Sequence, residues 1–338
     1  MKGWKLTKPL DLKEETISEI NTSDVATKIK IIKALVTLPD VLRFSGEIDS
    51  KNVVPGSYGI GIVSETSANF FDLEKGKHVY IEPARPCGNC YNCNNKNELK
   101  CSELMIAGED FDGFLRDFTD VSADRAYALP EHVADFEALF IGHLSLATAV
   151  VDKLDIQKGD YVAIVGANNF GNILAQLLIY YQAVPIIMTN DVEDLEIAKN
   201  SGIYYTLGEN DNWQKEVSSI TGGRMAKHVV YVSDCNISIN KAFSVASYNA
   251  SLAFTGIPYK STSIGFAQAV KKQINIHCIN HGFGNTETSI NLIANKAINL
   301  SNLKLNTTTY DAVPETFNTM KKMLDSKDKI YETIVELI

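Results

Sequence analysis

The chain has 338 residues, 45% of them hydrophobic and 22% charged, a balance that fits a folded globular protein and excludes disordered or fibrous classes, at a length that calls for two domains. A formal net charge of -9 and the lack of any basic run longer than two residues exclude a general nucleic-acid binder, because phosphate backbones are held by concentrated Lys and Arg. The longest apolar stretch, 136–151, is interrupted by Glu137 and His143 and falls short of the roughly 18 to 20 apolar residues of a membrane span, and the basic N-terminus carries no apolar segment behind it, so the expected location is the cytoplasm, off the membrane.

In chain order, the first 130 residues read as short β-type runs at 28–36, 58–63, 78–82 and 125–129, separated by turns and without a long helical period. After Leu129-Pro130-Glu131 a helical run covers 135–153. From Asp160 onward apolar strands at 161–165, 184–188, 204–207, 228–232, 251–255 and 274–278 alternate with helical stretches at 172–181, 192–200, 213–220 and 239–247. That alternation is the signature of a parallel sheet covered on both faces, and two such halves make a Rossmann-type unit. Residues 285–299 read as a further helix, followed by a short strand near 304–307 and a helical tail. The fold class is α/β, and no internal repeat or low-complexity tract interrupts it.

Four of the six cysteines crowd into fifteen residues as Cys87-x2-Cys90-x2-Cys93-x7-Cys101. Short x2 spacings let neighbouring sulfurs converge on a tetrahedral ion about 2.3 Å away, which predicts one structural zinc per chain. Gly88, Asn89, Asn92 and Asn94 suit the tight turns around such an ion. Free thiols or two disulfides are the alternatives, and a reducing compartment disfavours the latter. Cys235 and Cys278 lie at or beside strands and read as buried small apolar residues.

With these features the chain resembles the zinc-containing medium-chain dehydrogenases, the alcohol and polyol dehydrogenase superfamily. The resemblance rests on the cysteine lobe within a β-rich N-terminal half. It extends to Lys158-Gly159-Asp160-Tyr161-Val162 entering the first Rossmann strand, the stretch Leu195 to Gly202, and Ser251 to Gly256 before a turn. The phrase Asp112-Gly113-Phe114-Leu115-Arg116-Asp117-Phe118 resembles the loop preceding a strand in polyol-type members. The resemblance implies a GroES-like β-rich domain over 1–149 with a zinc lobe at 87–101, a Rossmann domain over 150–280, a return over 281–338, and an active site in the cleft between the domains. It also implies a homodimer or homotetramer, pairing through the sheet edge near Ser251 to Tyr259.

Catalysis in this family needs a second zinc that polarises the substrate oxygen while hydride passes to or from the nicotinamide. The slots for its ligands are occupied here by Thr37, Ser57, Tyr58 and Gly142, and the hydroxyl of the usual proton relay is replaced by Pro39. Without a metal, reduction makes milder demands than alcohol oxidation, since a phenol or imidazole can supply the proton. Tyr58 and His143 are therefore the catalytic candidates, with Asp40 at the family's acidic position after the first turn. For Tyr58 the competing reading is an aromatic filling the vacated metal cavity, for His143 a hydrogen-bonded helix-face histidine, and for Asp40 a turn or cap residue.

Gly166-Ala167-Asn168-Asn169-Phe170-Gly171 follows a strand and opens a helix, the context in which a glycine fingerprint marks a dinucleotide site. Its middle glycine has become Asn168, which narrows the approach of a pyrophosphate to the backbone. Thr189 and Asn190 stand where an acidic residue would select the NAD ribose, while Asp191 reads as a helix cap. The expectation is NAD(P)(H), with a slight preference for NADP(H). The leading functional reading is a zinc-free oxidoreductase reducing a small carbonyl or conjugated substrate. The alternatives are a catalytically silent relative that binds a small molecule or partner, and a zinc-dependent alcohol or polyol dehydrogenase with ligands at other positions.

Overall fold

Thr27, Ile29 and Ile31, every second residue in the first half of the strand Ala26–Val36, are completely buried, the period of two that a strand with one face on a core requires. This strand is the spine of the first unit. The computed structural model describes residues 1–17, 26–66, 73–232, 237–256 and 264–337. Its contacts divide it into Met1–Gly142 with Lys304–Ile338, and His143–Leu303.

In the first unit, Ala26–Val36 pairs antiparallel with Tyr58–Thr66 on one side. On the other side Phe118–Ser122 covers its beginning and Thr333–Glu336 its end. The strands His78–Ile81 and Ala126–Ala128 continue the sheet at one edge and Asn306–Thr309 at the other. The last strand is absent from the sequence reading, which continued the helical tail to the end. Thr-Ile-Val-Glu is too short to show a period, and it is a strand because Ala34 and Leu35 offer it a ladder. Its Val335 is wholly buried and its Glu336 pairs with Lys33 at 2.8 Å. The strands Lys2–Lys8 and Asp11–Thr16, an antiparallel pair, were likewise not expected.

A helix at Leu38–Ser45 also corrects the all-β reading of this region. Its signals are local: Thr37 and Asp40 at capping-box spacing, Pro39 in the first turn, and Gly46 in the left-handed region at φ 82° just past the end. Against it packs the return helix Val313–Ser326, with Phe317 edge-on to Phe44, ring centroids 5.3 Å apart.

In the second unit, six parallel strands lie in the order third, second, first, fourth, fifth, sixth, the doubly wound dinucleotide-fold order. Tyr161–Val165 and Val184–Met188 have the bounds read from sequence, as do the helices Val192–Asn200 and Trp213–Ile220. Pro185 sits inside the second strand, where a missing N–H would normally break a ladder. It is tolerated because the neighbouring strand Tyr205–Leu207 begins pairing only at Ile186. The helical run expected over 135–153 is two helices, Asp135–Ala138 and Ile141–Leu154, parted at Leu139 and Phe140, which are wholly buried.

Residues 281–303, read from sequence as the start of the return, pack in this second unit. There Ser289 of the helix Thr286–Ala294 meets the Ser145 hydroxyl at 3.0 Å. The strand containing Ser251 is not an edge: Ala246–Thr255 is flanked by Ala226–Val232 and Asn275–Ile279, and 257–263, including Tyr259, lie outside the described residues. The edge is Asn275–Ile279, and on it Cys278 is exposed, contrary to its expected burial, because nothing among the described residues covers the outer side of that strand. Cys235 lies outside the described residues. No helix among the described residues is long and apolar enough to cross a membrane.

The Phe44–Phe317 contact fastens the return helix to the first unit. Phe317→Ala is expected to cost about 3–5 kcal/mol, the usual range for emptying a buried phenylalanine site, read as a lowered denaturant midpoint.

Candidate functional site

The cysteine lobe is built by a one-turn helix, Tyr91–Asn94, and a 3-10 turn, Glu98–Lys100, which fold four sulfurs inward. The pairs Cys87–Cys93, Cys90–Cys93, Cys90–Cys101 and Cys87–Cys101 are 4.0, 3.5, 3.9 and 3.5 Å apart. A tetrahedral ion with sulfurs about 2.3 Å away requires sulfur separations of about 3.8 Å, whereas a disulfide needs about 2.05 Å. The donor set therefore fits zinc. Backbone hydrogen bonds from Cys93 and Ser102 pull the Cys90 thiol down while burial pushes the Cys93 thiol up, so without an ion the two sulfurs do not both ionise readily. Among the described residues, no other group of three or more His, Cys, Asp or Glu side chains is gathered closely enough to hold a metal.

Thr37, Asp40, Ser57, Tyr58 and Gly142 all belong to the first unit. Asp40, 1% exposed, accepts from the Thr37 backbone and hydroxyl with one oxygen, at 2.9 and 3.0 Å, and from the Gly56 N–H with the other, at 2.9 Å. Its carboxylate caps the helix Leu38–Ser45 and anchors the turn before Tyr58, so it positions the site's loops. The Asp-Gly phrase does the same from the opposite side. Asp112 accepts the Val54 N–H at 2.9 Å, and a Cβ on Gly113 would fall 2.4 Å from the Gly56 carbonyl oxygen.

Tyr58 fills the space beside Gly142: a Cβ on residue 142 would lie 2.1 Å from the Tyr58 ring carbon Cε1. No side chain fits at 142 unless Tyr58 moves. Burial, and after it the carboxylates of Glu332, Glu82 and Asp40, push the Tyr58 phenol well above its ordinary value. The group is thus a firmly neutral hydrogen-bond donor and a poorer acid than the sequence reading assumed. Thr37, Ser57 and Tyr58 offer hydroxyls, Gly142 offers no side chain, and none supplies a thiolate or imidazole, a donor set poorly suited to zinc. His143 is buried, at 8% exposure, in the helix Ile141–Leu154 of the second unit.

The dinucleotide candidates all sit at the carboxyl ends of the first two parallel strands, the end at which doubly wound sheets bind ligands. Gly166 has φ 115°, and a Cβ on Gly171 would meet the Gly166 carbonyl oxygen at 2.2 Å, so both retained glycines are required by the turn. Asn168 is the N-cap of the helix Asn169–Tyr180, its Oδ1 accepting the Gly171 N–H at 3.0 Å. One N-terminal donor is thereby satisfied within the chain, and this internal competition for donors was not visible as a substituted glycine. Phe170 is buried in the first turn of that helix. Thr189 accepts the Asp191 N–H, and Asp191 caps the helix Val192–Asn200 as expected. Between them Asn190 has a buried Oδ1 with no donor in reach. The glycines and Asn190 fit a dinucleotide, with its pyrophosphate at the helix N-terminus and its ribose at the strand end.

Residues 21–131 match the alcohol dehydrogenase GroES-like domain family. The uncharacterized zinc-type alcohol dehydrogenase-like protein of Haemophilus influenzae is 26% identical over 257 residues, 75% of each chain. Over those residues the chain is similar to the zinc-type alcohol dehydrogenases. D-xylulose reductase A of Aspergillus oryzae is 23% identical over 278 residues, 80% of this chain and 77% of that one. Among solved structures, a short chain alcohol dehydrogenase from Escherichia coli complexed with NADH superposes with a TM-score of 0.85 at 21% identity, over 100% of this chain and 99% of that one. At that identity the likeness speaks for the fold: a GroES-like unit and a Rossmann unit.

Elemental analysis of the purified protein is expected to find one tightly held zinc per chain. Cys93→Ser should release it and destabilise the lobe, since a structural ion contributes to folding directly.

Proposed function

We propose that the chain is an NAD(P)-linked oxidoreductase of the alcohol and polyol dehydrogenase type, acting on a small molecule. The observation that carries this reading is the glycine turn Gly166 to Gly171 at the carboxyl end of the first parallel strand, with Asn190 at the end of the second. A bound nicotinamide would donate or accept the hydride. The chain's own contribution is to hold the dinucleotide at that turn and to place a neutral donor at the substrate oxygen.

The cofactor preference follows from Asn190. Its unpartnered acceptor wants a donor, which an unphosphorylated ribose hydroxyl supplies and a 2'-phosphate does not, and no guanidinium stands among Thr189, Asn190 and Asp191 to hold a phosphate. This favours NAD(H) over the NADP(H) preference drawn from Thr189 alone. Calorimetry should give tighter binding of NADH than of NADPH. Asn168→Gly should strengthen binding by releasing the Gly171 N–H. Failure of both cofactors to bind at millimolar concentration would leave the silent-relative reading.

For the reacting centre the proposed chemistry is reduction of a small carbonyl or conjugated substrate without a second zinc. Support comes from the hydroxyl-only donor set and from Tyr58 lying across the side-chain space of residue 142. The names of the relatives favour the metal-dependent alternative. Two zinc equivalents per chain would decide for it. In the metal-free reading the Tyr58 hydroxyl donates to the substrate oxygen, and its raised pKa keeps it protonated throughout the physiological range. Tyr58→Phe keeps the ring that occupies the cavity and removes the donor. Turnover of a carbonyl substrate should fall on the order of a hundredfold with thermal stability little changed, whereas unchanged turnover would assign Tyr58 to packing.

A further inference from the structure

Outside these sites, the first unit contains a cavity of about 240 Å³ lined by Arg85, Phe111, Arg116, Thr119 and Arg125. Arg85 ends the short strand Ala84–Arg85, Arg125 ends the 3-10 turn Ala123–Arg125, and Arg116 precedes the strand Phe118–Ser122. Two of the guanidiniums stack on one ring: the Arg85 and Arg125 Cζ atoms lie 4.3 and 5.2 Å from the Phe111 centroid. Arg116 is 2% exposed.

Each guanidinium is held at one nitrogen and left without an acceptor at others. Arg116 donates through Nη2 to the Thr119 hydroxyl at 2.5 Å and the Asp112 carbonyl at 3.3 Å, and Arg125 through Nη2 to the Glu82 carbonyl at 2.5 Å. Arg85 Nη2 reaches only the Met105 sulfur, at 3.9 Å. The remaining buried nitrogens, Nε of Arg85, Nε and Nη1 of Arg116 and Nε of Arg125, have no hydrogen-bond partner. Glu98, Asp120 and Asp124 also line the cavity; Asp120, with Asp112 and Asp117, favours the charged form of Arg116, as Glu82 and Asp124 do for Arg125.

Buried charged donors without acceptors are costly, and two like charges against one aromatic ring compound that cost. Burial, and then the neighbouring Arg85, bring Arg125 down to about 10, which leaves it charged at neutral pH. A ligand that carries negative charge and accepts hydrogen bonds would offset the like charges crowded against Phe111. The guanidiniums that line the cavity come from three separate side chains, which suits a tetrahedral oxyanion better than a carboxylate, for which one guanidinium fork suffices. The volume lies below the roughly 300–1,000 Å³ of drug-sized sites and suits a small ligand.

We propose that this cavity is a binding site for a small phosphoryl oxyanion, inorganic phosphate or a compact phosphomonoester, held by Arg85, Arg116 and Arg125. The site is independent of the dinucleotide turn, which lies in the other unit.

The test is calorimetry on the zinc-loaded protein with inorganic phosphate and with glycerol 3-phosphate, at an ionic strength matched with chloride. Saturable binding of either is expected, with tighter binding of the ester assigning an organic ligand and equal binding assigning phosphate itself. The double variant Arg85→Gln and Arg125→Gln, at two partly exposed positions, should weaken binding by about tenfold or more. Asn168→Gly, at the dinucleotide turn, should leave it unchanged. The single variants Arg85→Lys and Arg125→Lys, which keep the charge and lose the fork, serve should the double variant fail to fold, and each should also weaken binding. No saturable binding above the chloride control would overturn the proposal, as would undiminished affinity in the arginine variants.

Discussion

One carboxylate organises the first unit. Asp40 is almost fully buried, yet both its oxygens are satisfied, one by Thr37 at the head of the helix Leu38–Ser45 and one by the Gly56 N–H in the turn that leads into Tyr58–Thr66. Because a buried acceptor is expensive to leave unpaired, these bonds fix the helix and the turn relative to each other. Thr37, Ser57 and Tyr58 are all presented by the segments Asp40 ties down.

Within that frame residues 58 and 142 pack as one pair. A glycine at 142 leaves a hole of side-chain size, and the Tyr58 ring occupies it so closely that even a Cβ would collide. Neither change is tolerable alone: a larger residue at 142 would expel the ring, and a small residue at 58 would leave a void. Burial, and after it the carboxylates Glu332, Glu82 and Asp40, hold the phenol in its protonated form, so the group in that space is a hydrogen-bond donor by virtue of its surroundings.

The second unit shows a comparable economy at the helix Asn169–Tyr180. Its N-terminus is the natural seat of a pyrophosphate, but Asn168 already accepts one of its N–H groups. The cap stabilises the empty turn, and a bound anion must compete with it. Strand placement here follows from hydrophobic runs alone, even through Pro185, because the neighbouring ladder starts one residue later.

The sequence by itself determined the features that are local in the chain. The four-cysteine spacing, the glycines of the Rossmann turn, the alternation of apolar strands with helices and the cap at Asp191 all act over a few residues, and the structure shows each in place. Even the helix Leu38–Ser45 was written in its Thr37–Asp40 cap spacing and Pro39. Tertiary structure decided whatever depends on partners far along the chain. Thr333–Glu336 is a strand because residues 33–36 pair with it, and Ser251 is interior because Asn275–Ile279 covers it. Tyr58 fills the side-chain space beside Gly142, 84 positions away, and three arginines from separate segments share one cavity. Spacing rules read only neighbours in sequence, whereas packing, burial and the satisfaction of buried donors are settled by whichever residues the fold brings into contact.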